Sequence, residues 1–74
     1  MINAMIKVLR DNINRSNRVF KFYRDFNMDN YVEVYSTESH IHIMEHKNYL
    51  VVEKPYMTEI IDLNEIKYFK MSIL

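Results

Sequence analysis

The chain has no glycine and no cysteine, and its one proline is Pro55. Phosphate-cradling loops of the Walker and Rossmann types need glycine for their tight turns and for close approach of backbone to ligand. A glycine-free sequence therefore effectively excludes both kinds of nucleotide site. Without cysteine, neither disulfides nor thiolate metal centres can add to the stability of the fold. No apolar run approaches the ~20 residues that span a bilayer. The apolar residues between Met1 and Leu9 lack the small-residue cleavage site of an export signal, so the expected location is cytoplasmic.

Charge is absent in sum but not in distribution. Residues 1–26 carry six basic side chains against Asp11 and Asp25, whereas residues 27–74 carry four lysines against eight acids. Every arginine lies at or before Arg24. This asymmetry divides a basic first third from an acidic remainder.

The 74 residues suffice for a single domain, 1–74. A chain of this size buries only ~60–65% of its unfolded surface, so its stability margin is thin. Its 49% hydrophobic content is nevertheless well clear of the disordered class. A small core with many apolar residues points to a second copy (a homodimer) or to another protein as partner. Asn, Ile, Lys, Tyr, Met and Phe are abundant and have A/T-rich codons, which suits a low-GC bacterium or its phage.

The pattern predicts an α+β fold: an N-terminal amphipathic helix packed on a four- to five-stranded antiparallel meander. Ile2, Met5, Ile6, Leu9 and Ile13 recur at spacings of three and four and form one helical stripe. Asp11 and Arg15 are spaced for an i,i+4 pair worth ~0.3 kcal/mol. A polar break covers Asn12 to Asn17. Phe20, Tyr23 and Phe26 would share a helical face, although Val19 to Tyr23 is also rich in strand formers. Weighed together they place the helical segment at about 2–26, with Ser16 as a second cap. A loop follows from Asn27 to Asn30.

From Tyr31 the period changes to two. The expected strands are Tyr31–Ser36, Ser39–His46 and Tyr49–Lys54, joined at Thr37-Glu38 and Lys47-Asn48, giving a sheet over about 31–74. Two-residue turns would set Val34 opposite Ile41, Val32 opposite Ile43, Ile43 opposite Val52 and Glu45 opposite Leu50. Val32, Val34, Ile41, Ile43, Leu50 and Val52 then share one face for the helix to cover. Pro55 ends the third strand, Tyr56–Ile61 forms a fourth, and Asp62 to Glu65 turns into a last strand, Ile66 to Leu74. That strand sets Phe69, Met71 and Ile73 against Tyr68, Lys70 and Ser72.

Three kinds of chemistry can be weighed on this frame. His40 and His42 form a His-x-His spacing, which on a strand suits metal ligation. The expected register would put His42 between Glu33 and Glu53, although ordinary cross-strand pairing explains the same residues. Catalysis has little to work with. The hydroxyls at Ser16, Ser36, Thr37, Ser39, Thr58 and Ser72 sit in no nucleophile elbow, and loops without glycine make poor oxyanion holes. Arg15, Arg18, Lys21 and Arg24 interleave with aromatics, as phosphate and base contacts require. Against this, the sequence pI of about 6.8 is not that of a basic domain.

The outer face of the sheet carries the preferred reading. Tyr31, Tyr35, Met44, Tyr49 and Val51 would lie there, and tyrosine and methionine are enriched at protein interfaces. The expectation is a non-enzymatic, cofactor-free protein-binding regulator or inhibitor, of phage or mobile-element type. A nucleic-acid-binding regulator using residues 15–24 is the alternative, and a His/Glu metal site the remoter one.

Overall fold

The computed structural model describes residues 2–27, 29–37 and 40–74. Glu38 and Ser39, expected in a turn and at the start of a strand, lie outside the described residues.

The apolar stripe does form a helix. Helix α1 spans Ile2–Asn12 and buries Met5 and Leu9, while Ile2, Ile6 and Ile13 pack at the margin of the same core. Burying such a side chain contributes roughly 1.5–3 kcal/mol. The helix ends where asparagines begin to compete for the backbone. Asn12 Nδ2 donates to the Val8 carbonyl at 2.8 Å, Arg15 N–H reaches back only to Asn12 at 3.0 Å, and Asn17 takes a positive φ of 60°. Arg15 does not pair with the Asp11 carboxylate; its Nε donates to the Asp11 main-chain carbonyl instead.

Residues 18–26 are not helical, contrary to the sequence expectation. Strand β1, Arg18–Tyr23, has buried residues on both of its faces. Its β-branched and aromatic residues suit a central strand, and burial on both sides hides the alternation that would mark it. Strands β2 (Tyr31–Tyr35), β3 (His40–Met44), β4 (Tyr49–Glu53), β5 (Thr58–Asp62) and β6 (Tyr68–Ile73) follow. A short 3₁₀ turn, Leu63–Glu65, separates the last two, with the Asp62 carboxylate accepting from Asn64 N–H as its cap.

The six strands make two antiparallel sheets rather than one meander. The first has the order β2-β1-β6 and the second β3-β4-β5. Val32 and Val34 therefore do not face Ile43 and Ile41: Val34 pairs with Phe20 and Val32 with Phe22. The chain leaves the first sheet after Tyr35 and enters the second at His40. Between β3 and β4 the register differs from expectation by two residues, with Ile43 opposite Leu50 and Ile41 opposite Val52. The connection uses all of residues 45–48, and Asn48 adopts φ 57°. A slip of two keeps every side chain on its face, so the aliphatic set stays inside.

Both inner faces feed one core. Phe20 and Phe22 of β1 are fully buried, and Phe69 of β6 lies against them with ring centroids 6.4 and 5.3 Å away. Val34, Ile41, Leu50, Val52, Ile61, Leu63 and Ile66 complete the cluster with Met5 and Leu9. An Arg10–Glu45 ion pair links α1 to the β3–β4 connection. Phe69 and Met71 lean on this core as expected of the last strand, whereas Ile73 is exposed.

Candidate functional site: two outward sheet faces

Inner faces committed to the core leave two outer faces for function. On the first sheet, the outward residues of β1 are Val19, Lys21 and Tyr23, those of β2 are Tyr31, Glu33 and Tyr35, and those of β6 are Tyr68, Lys70 and Ser72. The register sets them in rows. Tyr31, Tyr23 and Tyr68 cross the three strands side by side, with centroids 5.2 and 5.3 Å apart. The flanking rings cover the central one: Tyr23 is only 4% exposed, against 42% for Tyr31 and 38% for Tyr68. Such aromatic contacts each add ~0.5–1.5 kcal/mol beyond the area they bury.

In the next row Lys21 lies between Glu33 and Lys70. Its Nζ is 3.8 Å from Glu33 Oε2 and 5.3 Å from the Tyr31 ring centroid, while Lys70 Nζ sits 5.9 Å from the Tyr68 ring. Tyr35 donates its hydroxyl to Glu33. The rows arise because Lys21-Phe22-Tyr23 and Tyr68-Phe69-Lys70 read as mirror images, and antiparallel pairing matches like with like.

The outer face of the second sheet is different in character. His42, Val51 and Ile60 form its middle row, flanked by His40, Glu53 and Thr58 on one side and Met44, Tyr49 and Asp62 on the other. Val51 is buried by its neighbours, whereas Ile60 is 60% and Met44 43% exposed. The carboxylates of this face stand only in its end rows. At the β4–β5 turn Tyr56 is fully exposed and Met57 largely so.

The chain matches no family model, no curated protein and no solved structure at a significant level.

The five residues expected to form one protein-binding face are divided between the two sheets. Tyr31 and Tyr35 stand on the first, and Met44, Tyr49 and Val51 on the second, because the chain changes sheets between Tyr35 and His40. The four basic residues do not converge either. Arg15 lies in the turn after α1, and Arg18 donates to Asn12 Oδ1 and to the Ser16 carbonyl. Lys21 points to the outer face of the first sheet, and Arg24 is exposed beyond the end of β1. The supposed metal cluster also separates: Glu33 belongs to the first sheet, His40 faces Glu53, and His42 faces Val51. Among the described residues no group of three or more His, Cys, Asp or Glu side chains could hold a metal ion.

Of the hydroxyls, Ser36 Oγ accepts from Arg18 N–H at 3.0 Å, at the edge of an open cleft of about 360 Å³ bordered by Ser16, Thr37 and His40. The sequence reading missed Ile60, Tyr68 and Lys70 as surface candidates. The mirrored 21–23 and 68–70 segments were the available signal for two of them.

Proposed function

We infer that this chain is a non-catalytic binding domain, a small regulator or inhibitor that docks another protein on the outer face of its second sheet. The observation that carries the reading is the placement of Ile60 and Met44. Ile60 is 60% exposed in the middle row beside buried Val51, Met44 is 43% exposed in the adjoining end row with Asp62, and the middle row itself holds no carboxylate. An apolar centre with charge at the rim is the anatomy of a protein interface. Met44 adds an unbranched, adaptable side chain of the kind that fits varied partner surfaces. A second copy of the chain and a different protein both satisfy this chemistry.

The test is the solution mass of the purified protein and of a Met44→Lys/Ile60→Lys variant, with any co-purifying protein identified. Neither residue is in the core, so the variant should keep its melting temperature within a few degrees. The expected result is a dimer, or a stoichiometric complex with one protein, that the variant loses. A monomeric, unaccompanied parent protein, or association that survives both lysines, overturns the reading.

A further inference from the structure

We propose that the outer face of the first sheet binds single-stranded nucleic acid, with bases stacked on Tyr31 and Tyr68 and the phosphates between them held by Lys21 and Lys70. Tyr23 forms the floor: nearly buried, it supports a ring on either side. The two accessible rings stand on the edge strands β2 and β6, two strand spacings or roughly 10 Å apart. Exposed aromatic faces accept any base, provided the base is unstacked from its neighbours.

The lysines identify the charge of the occupant. Lys21 and Lys70 are direct cross-strand partners, an arrangement that costs stability when nothing neutralises it. Glu33 offsets Lys21 at 3.8 Å, but among the described residues no carboxylate pairs with Lys70. Lys70, uncompensated beside the Tyr68 ring, complements a polyanion, and Lys21 adds a second ammonium that Glu33 only partly offsets. A protein partner is the poorer fit, because lysine is depleted at the centre of protein interfaces. The acidic side chains Glu53 and Asp62 lie on the other sheet's outer face, where they repel the same polyanion. Nothing here depends on the face proposed above for protein docking, so either proposal can fail alone.

The experiment is fluorescence anisotropy with a labelled oligothymidylate of about 12 nucleotides, titrated at several salt concentrations. Salt-sensitive binding is expected for the parent protein. A Lys21→Gln/Lys70→Gln variant should flatten the slope of log affinity against log salt by about 1.4, the share of two phosphates in single strands. Tyr31→Ser and Tyr68→Ser should each weaken binding about 5- to 150-fold, while the phenylalanine variants, which keep the rings, should bind nearly as the parent does. If serine unfolds the protein by circular dichroism, the lysine variant and the salt slope decide the matter. Absence of salt-sensitive binding, an unchanged slope, undiminished binding by folded serine variants, or tighter binding of a duplex of equal length overturns the proposal.

Discussion

Asn17 and Asn48 hold φ values of 60° and 57° in a chain that has no glycine to place there. Most side chains lose about 1–2 kcal/mol in this left-handed region, and asparagine is among the few that enter it readily. Each residue also anchors a later segment through its carbonyl: Asn17 accepts from Leu74 N–H at 2.8 Å and Asn48 from Leu63 N–H at 2.9 Å. Asn48→Val should therefore cost about 1–2 kcal/mol and lower the melting temperature by roughly 5–15 °C, whereas Asn48→Gly should be nearly neutral. Equal losses from both substitutions, measured by thermal denaturation, would show that the side chain matters and the backbone angle does not. At this scale the sequence was partly legible. The asparagine-rich stretch announced a break after the helix, but composition alone does not say which asparagine turns left-handed.

Among the elements, α1 was the plainest in the sequence, because one face of it is buried and the other solvated. Strand β1 was the hardest. Val19, Phe20, Phe22 and Tyr23 are all buried, so the alternation of a half-buried strand is missing, and aromatic spacings that suit a helix remain. The β2–β3 segment misled for another reason. Period-two alternation fixes which residues face inward but not which sheet they face inward from, so two strands in different sheets read as a hairpin. Phe22→Ala should cost about 3–5 kcal/mol and Leu9→Ala about 2–5 kcal/mol, enough to unfold much of so small a domain at physiological temperature. Arg15→Ala, at an exposed turn, should stay within about 0.5 kcal/mol. Urea denaturation of the three variants checks the order. A Phe22→Ala protein as stable as Arg15→Ala would contradict the place of β1 at the centre of its sheet.

For the molecule as a whole, the partition of the chain into two sheets matters more than any one register. It takes residues expected on one surface and distributes them over two, one aromatic and basic, the other aliphatic with acids at its ends. The charge asymmetry seen in the sequence is thereby carried partly into space. Lys21 of the basic first third is joined by Lys70 from the far end of the chain, a meeting that no local pattern could announce. The aliphatic set of β2, β3 and β4 was legible because inward alternation survives the change of sheet and the two-residue slip, whereas buried Leu63 lay in an expected turn. The binding faces were not, since they depend on which strands become neighbours.

The central claim is that these two faces act separately. Its most direct test is light scattering on three proteins in parallel: the parent, Met44→Lys/Ile60→Lys, and Tyr31→Ser/Tyr68→Ser. The parent and the tyrosine variant should share the mass of the same associated species, and the lysine variant alone should fall to the mass of a single chain. A folded tyrosine variant that dissociates while the lysine variant stays associated would contradict it, by moving the protein-docking surface to the first sheet.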